Sequence, residues 1–396
     1  MADDGLPDQP GPRRQTELYM EGLADITPDI PVTYEKLEAA ALDAMDEGAA
    51  GYVAGGAGGE ETIDANREAF KGWHIRPSML RDVSERDRTV ELLGQTYDAP
   101  VLLAPIGVLS IVHERAERAV AEAAADLDLP MVLSTAASTQ LEDVADDLDE
   151  GGGRGWFQLY WSSDRAITSS LVDRAERAGY EALVVTVDTP LLSWRERDIE
   201  GAYLPFLDGE GLANYFSDPA FLDRLDADPA ENELAAVREF VDIFGDPSLT
   251  WDDLDWLTDQ TDLPVVVKGI LRSDDAARAV KAGADGVVVS NHGGRQVDRA
   301  IPALDALPDV AGRIGDDAAI LFDSGIRRGS DAIVALALGA DAVMLGRPYV
   351  YGLALDGADG VRAVCRNFMA DFDLTMGLAG QASVADLGRS LLRKGD

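Results

Sequence analysis

Eight short apolar runs, most of them rich in β-branched residues, recur along the chain, each closed by a polar group or a glycine-containing turn. They are Pro100–Ala104, Pro130–Leu133, Trp156–Leu159, Ala182–Val187, Pro264–Val267, Gly286–Val289, Ala319–Phe322 and Ala342–Leu345. Helical periodicity and good helix formers fill most gaps, as in Glu114–Leu127, Arg165–Ala178, Asp274–Ala282 and Asp331–Leu338. Eight strand–helix units predict a single closed (β/α)8 TIM barrel of class α/β, not an open dinucleotide-binding sheet. An internal echo agrees: Ala282-Gly283-Ala284-Asp285-Gly286-Val287 repeats as Leu338-Gly339-Ala340-Asp341-Ala342-Val343, with Ala178-Gly179-Tyr180-Glu181-Ala182-Leu183 as a looser copy. In each, a glycine ends a helix just before a strand begins.

Two segments exceed minimal barrel geometry. The stretch before the first strand runs through Gly51-Tyr52-Val53-Ala54-Gly55-Gly56-Ala57-Gly58-Gly59, and flanking helical pattern predicts an ordered N-terminal helical cap reaching the barrel mouth. The 75 residues between Asp188 and Pro264 hold no convincing strand. A loop that long is usually a lid or disordered, and its aromatics (Tyr203, Phe206, Tyr215, Phe216, Trp251, Trp256) predict a packed lid over about 189–263. Residues 1–30 read as an acidic flexible segment and 31–396 as one barrel domain.

Composition bounds the function. Asp+Glu is 73 against Lys+Arg 34, with 50 Asp, 23 Glu and 5 Lys, for a net charge of −39. Such a surface repels nucleic acid and anionic membranes. The excess is spread over the chain, and compaction against that repulsion calls for screening salt, so the surface reads as halophilic, adapted to a salt-rich cytoplasm. No apolar run approaches the ~18 residues of a membrane span, and Arg13-Arg14 has no apolar stretch behind it, so a cytoplasmic location is expected. Cys365 stands alone, and three scattered His make a metal site unexpected.

Barrel active sites lie at the C-terminal ends of the strands. Those ends carry Pro105-Ile106-Gly107, Ser134, Gln158 with Tyr160, Thr186 with Asp188, Lys268, the run Ser290-Asn291-His292-Gly293-Gly294-Arg295-Gln296-Val297-Asp298, Asp323-Ser324-Gly325-Ile326-Arg327, and Gly346-Arg347. His292 and Arg295 among glycines give a base and an anion clamp on backbone that can approach a ligand closely. Asp188 is a candidate partner that would raise the imidazole pKa and fix its tautomer. The loops after strands seven and eight match a barrel phosphate site, expected to take a mononucleotide such as FMN. Lys268 fits either the edge of such a ring or a salt bridge to a barrel carboxylate. Arg195 is either a second carboxylate clamp or an exposed charge in Arg195-Glu196-Arg197-Asp198. Tyr52 and Tyr160 are hydroxyl donors or structural tyrosines. Ser134, Gln158, Thr186 and Ser290 are neutral partners suited to a flavin ring.

From about Tyr34 to Gly380 the chain resembles the FMN-dependent L-2-hydroxy-acid oxidising family. The resemblance rests on Tyr52–Ala57, Ala104–Gly107, Phe157–Tyr160, Thr186–Pro190, Val267–Gly269, the His292 run and Gly346-Arg347-Pro348. It implies FMN with its reactive N5 near Pro105-Ile106-Gly107, His292 as base with Asp188 behind it, Arg195 and Arg295 on the substrate carboxylate, Tyr52 and Tyr160 on its oxygens, and a homotetramer or larger. The lactate 2-monooxygenase branch is the most similar, through Pro105-Ile106-Gly107-Val108, Leu212–Pro219 and Phe244–Asp253. This implies L-lactate and O2 as reactants, with acetate, CO2 and water as products. Many relatives have Thr-Ala where Ile106-Gly107 stands, and the missing methyl is expected to leave room for O2.

Overall fold

The computed structural model describes residues 9–395. Eight parallel strands close into a barrel in chain order. They are β1 (Val101–Leu103), β2 (Met131–Ser134), β3 (Gly155–Leu159), β4 (Leu183–Thr186), β5 (Val265–Ile270), β6 (Gly286–Val289), β7 (Ala319–Phe322) and β8 (Ala342–Leu345). Closure is made by β8 on β1, with Val343, Met344 and Leu345 opposite Val101, Leu102 and Leu103. The strands are buried almost throughout, which is why they read as continuous apolar runs and not as alternating ones.

Alternate residues fill two separate cores. Leu102, Val132, Trp156, Val184, Val266, Val288, Leu321 and Met344 pack together inside the barrel. Their strand neighbours, such as Leu103, Leu133, Val185, Val267 and Val289, face the surrounding helices. A hairpin, Val90–Leu92 with Gln95–Tyr97, joins the inner core through Leu92 and Tyr97, and Trp156 Nε1 donates to Tyr97 Oη at 3.2 Å. The polar groups named above gather at the strands' C-terminal ends. Truncating an inner side chain such as Leu102 to Ala would cost about 2–5 kcal/mol.

The acidic N-terminal segment expected to be flexible contains a helix, Pro10–Gly22. Proline at its first positions supplies pre-set φ where no N–H partner is needed. It is fastened to the long C-terminal helix Arg347–Leu378: the Gly11 amide donates to Asp373 Oδ2 at 3.1 Å and Arg14 Nε to Asn367 Oδ1 at 2.9 Å. Positions 1–8 of that expectation lie outside the described residues.

The insert after β4 is built from short capped helices. Asp218 caps Pro219–Leu222, Asn232 caps Glu233–Ile243, and a Thr250–Asp253 capping box starts Trp251–Thr258. Phe206, Tyr215, Phe221, Phe240 and Phe244 stack into one aromatic cluster, which meets the barrel mouth where Phe244 packs edge-on against Tyr160 at 5.5 Å. The middle of the insert is pinned: Asn214 accepts from the Leu141 amide at 2.7 Å and donates to the Thr135 carbonyl at 3.0 Å.

Candidate active site

The strand ends, the cap and the insert surround an open-mouthed cavity. Tyr52, Pro105, Ile106, Gly107, Tyr160, Arg195, Lys268, His292 and Arg295 line it, as do Asp323 through Arg327, Gly346 and Arg347. Residues from positions 52 to 347 are thus brought to one mouth by closure of the barrel.

His292 and Asp188 meet there. Nδ1 of the imidazole lies 2.8 Å from Asp188 Oδ1, and Nε2 lies 3.4 Å from the Tyr160 hydroxyl. The Asp188 carboxylate keeps Nδ1 protonated, which leaves Nε2 as the acceptor facing the cavity. Burial pushes the Asp188 carboxyl up, but His292 and Lys268 outweigh it and hold it below its ordinary value. Asp188 does raise the imidazole pKa, as expected, but burial, with Lys268 and Arg195 adding to it, outweighs that contribution and leaves His292 below its ordinary value. A neutral imidazole beside an ionised carboxylate is the state a base needs.

Backbone geometry makes room for this pair. β5 is irregular between Lys268 and Ile270, and Gly269 has φ +110°. A Cβ on Gly269 would lie 2.7 Å from both Cβ and Cγ of Asp188. Only glycine lets the carboxylate sit behind the imidazole. Asp188 Oδ2 is buried with no hydrogen-bond partner, so the carboxylate is held chiefly by His292 and by Thr189, whose hydroxyl donates at 3.1 Å.

Lys268 is 4% exposed and makes the expected salt bridge to a barrel carboxylate. Its ammonium lies on the cavity wall and pairs with Asp323 Oδ2 at 3.2 Å, while donating to Ser290 Oγ at 3.1 Å. Burial opposes its charge, but Asp323 and Asp188 restore it and hold the pKa above the ordinary lysine value. The Asp323 carboxylate therefore serves the lysine, and what its loop can offer a phosphate is backbone together with the Arg327 guanidinium.

Arg195 is buried and turned inward, and Asp198 of the same charge run follows it, 3.9 Å from its Nη1. Its Nη2 donates to Gln296 Oε1 at 3.1 Å and its Nε to Ser193 Oγ at 3.0 Å. Arg295 donates to the carbonyls of Tyr52 and Gly55, and both guanidinium groups lie over the Tyr52 ring, at 5.9 and 4.9 Å. Burial pushes Arg295 down to about 9, with Arg195 and Arg347 contributing further. Clustered, under-neutralised guanidiniums in one cavity call for an anion.

At the other side of the cavity, Gly325 has φ +99° and packs onto the helix Glu61–Lys71, with a built Cβ 3.2 Å from the Asn66 carbonyl. Arg327 lies over the Tyr34 ring, and its Nε is buried without a partner. Arg347 lies on the cavity wall, and its guanidinium also donates to the carbonyls of Val53 at 3.0 Å, Gly293 at 2.9 Å and Gly55 at 2.9 Å. It staples the glycine-rich cap to the His292 loop. Ser134, Gln158, Thr186 and Ser290 are buried and are not among the cavity-lining residues. Ser134 donates to Gln158 Oε1 at 2.9 Å and Gln158 Nε2 to Thr186 Oγ1 at 3.0 Å, forming a polar chain across the ends of β2, β3 and β4.

The family model for FMN-dependent dehydrogenases matches residues 41–394. The chain belongs to that family. It is 43% identical over 380 residues to an L-lactate oxidase of Lysinibacillus sphaericus, covering 96% of this chain and 97% of that one. It is 42% identical to the FMN-dependent alpha-hydroxy acid dehydrogenase qulF of Penicillium citrinum, over 96% and 95% of the two chains. A crystal structure of mandelate oxidase superposes with a TM-score of 0.80 at 38% identity, covering 92% of this chain and 98% of the other. The protein is an FMN-dependent 2-hydroxy-acid oxidoreductase built on the expected TIM barrel.

FMN fits the residues present. The orphaned Arg327 Nε, the amides of the Gly325 turn and the start of the helix at Gly346 form an anion-binding end. The buried Lys268 ammonium supplies a fixed cation elsewhere on the wall, suited to a ring that gains negative charge. Among the described residues, no helix is long and apolar enough to cross a membrane.

Reading the sequence missed Asn66 and the additional duty of Arg347. Asn66 had a signal: the buried residues of its helix are Thr62, Asn66 and Phe70, a polar side chain in the middle of an inward stripe.

Proposed function

We propose that this FMN enzyme oxidises a small L-2-hydroxy acid, L-lactate being the best fit, with O2 as acceptor. One observation carries the reading: the His292–Asp188 pair and the guanidiniums of Arg195 and Arg295 open into the same cavity. A substrate carboxylate would neutralise the two arginines. Its hydroxyl would then reach His292 Nε2, with Tyr160 and Tyr52 donating to its oxygens. His292 takes the hydroxyl proton as the Cα–H bond breaks, and Asp188 stabilises the imidazolium that results. When bound, FMN supplies the two-electron acceptor for that bond. Pro105, Ile106, Gly107 and Lys268 on the cavity wall would hold its ring, with Ser134, Gln158, Thr186 and Ser290 supporting it from directly behind that wall, and the Asp323–Arg327 turn with Gly346-Arg347 would hold its phosphate. The L-lactate oxidase relative supports this substrate and acceptor.

The finer outcome is the lactate 2-monooxygenase one, in which pyruvate and hydrogen peroxide stay together and become acetate, CO2 and water. Its support is the packed aromatic insert against Tyr160, which would confine both products. The rival outcome, peroxide release, is favoured by the direction of Gly107: a Cβ there would point at the Ala136 backbone, so its missing methyl opens no extra room for O2.

Anaerobic bleaching of the yellow holoenzyme by L-lactate, glycolate and mandelate tests the substrate reading. Failure of every hydroxy acid to bleach would remove it. Product analysis in air, without catalase, then separates acetate from pyruvate and peroxide, and absent O2 uptake would point to another acceptor.

A further inference from the structure

His292 sits in a conformation that its own chemistry does not favour. Its φ is +59°, and Gly293 and Gly294 follow at +63° and +80°. Three successive left-handed residues, the first with a Cβ, persist only where surrounding structure over-determines them. Ser324 Oγ accepts from the Asn291 and Gly293 amides at 3.2 and 3.0 Å, holding one side of the turn.

The other side is held by the cap helix Glu61–Lys71. Asn66 and Asn291 are both buried and form a reciprocal amide pair: Asn66 Nδ2 donates to Asn291 Oδ1 at 2.8 Å, and Asn291 Nδ2 to Asn66 Oδ1 at 2.7 Å. Asn291 Oδ1 also accepts from the Gly294 amide at 3.1 Å, closing the left-handed turn directly. Asn66 Oδ1 also accepts from the Ala303 amide at 3.2 Å, where the next helix begins. Further along the run, Asp298 accepts from the Gly59 and Thr62 amides at the start of the cap helix. The adjacent Arg67 reaches the Gly325 carbonyl in the phosphate loop and Asp331 in the helix Gly329–Ala337 that follows it.

We infer that Asn66 is a positioning residue, which acts through Asn291 to hold the left-handed turn that aims His292 at the substrate hydroxyl. The inference rests on His292 being the base. Arg295 is held separately by the Tyr52 and Gly55 carbonyls, so loss of Asn66 acts mainly on the chemical step and less on carboxylate binding.

Three variants test it in the holoenzyme: Asn66→Ala, Asn291→Ala and the double substitution. A displacement of about 1 Å at a reacting group costs roughly 10²-fold. Asn66→Ala is therefore expected to keep FMN, to lower the limiting rate of anaerobic bleaching by L-lactate on that scale, and to change KM by only a few-fold. Since both residues act as one unit, the double variant should be no slower than the slower single one. A second readout is independent of turnover: the downfield proton NMR signal of the His292 Nδ1–H bonded to Asp188, present in wild type and lost in Asn66→Ala. If Asn66→Ala does not fold, Asn66→Ser is read in the same way. Unchanged bleaching with the NMR signal intact, or single effects that multiply in the double variant, would overturn the assignment. Should wild type itself resist bleaching by every hydroxy acid, the substrate reading fails, and the NMR signal alone decides for or against Asn66.

Discussion

Gly107 lies against Ala136 so closely that a Cβ on it would come within 2.5 Å of the Ala136 carbonyl oxygen and 3.0 Å of its methyl. The same carbonyl accepts from the Val108 amide at 2.8 Å, so the loops after β1 and β2 are locked backbone to backbone. Gly107→Ala should therefore push these loops apart, at a cost of about 1–3 kcal/mol for overpacking. The expected outcome is a lower melting temperature and weaker FMN retention. An unchanged melting temperature accompanied by a shift from acetate to peroxide would instead show a methyl reaching the reaction space.

The electrostatics of His292 set a pH dependence. The base works only when neutral, and burial holds its pKa below the ordinary imidazole value of 6.5. Activity should thus be flat through neutrality, and kcat/KM should fall as pH drops through a midpoint below 6.5. Asp188 is the contribution that raises this pKa, so Asp188→Asn should move the acid limb further down while also lowering the plateau. His292→Ala should slow anaerobic bleaching by about 10²–10⁴-fold without releasing FMN. An acid limb above the ordinary imidazole value would contradict the burial argument.

Much of this site was legible because barrels put chemistry at strand ends. Polar or glycine-containing ends of β1, β3, β5, β6, β7 and β8 supply cavity-wall residues, whereas Ser134 and Thr186, at the ends of β2 and β4, lie buried behind that wall. What the sequence could not carry was side-chain direction. Asp323 looked like part of a phosphate loop, yet its carboxylate turns toward Lys268. Arg347 was legible as a cavity residue, but its hydrogen bonds to three carbonyls of the cap and the His292 loop were not. The segment around Arg13-Arg14 looked solvated because its partners, Asn367 and Asp373, lie some 350 residues away along the chain. Strand boundaries needed no such long-range information, and Gly286–Val289, Ala319–Phe322 and Ala342–Leu345 coincide with observed strands.

The two cofactor-side arginines should separate in their effects. Arg327 has a buried, unpartnered Nε beside the Gly325 turn. Arg327→Ala should weaken FMN binding while leaving the melting temperature of the apoprotein nearly unchanged. Arg347→Ala strips a donor from each of three carbonyls, and unpaired buried polar groups cost about 1–3 kcal/mol each. That variant should lose flavin and apoprotein stability together. Titration of FMN into each apoprotein, alongside thermal unfolding, distinguishes them. Equal destabilisation of both apoproteins would show that Arg327 is structural as well.

The charge excess makes the last prediction. A net charge of −39 with 5 lysines leaves most carboxylates without a cation on the chain. Arginine supplies the described network pairs, such as Arg362 with Glu122 and Asp126, and Arg224 with Asp164 and Glu239. Single surface pairs contribute about 0–1 kcal/mol and cannot offset repulsion on this scale. Salt can, because the Debye length falls from about 10 Å at 0.1 M to about 3 Å at 1 M. Melting temperature should therefore rise steeply with KCl and level off as screening saturates near molar concentration. An equal osmolality of sucrose acts by exclusion from the surface and leaves charges unscreened, so it should give a smaller rise. If sucrose matches KCl, or the melting temperature is flat in KCl, self-repulsion is not what limits this fold and the salt-adapted reading of its surface fails.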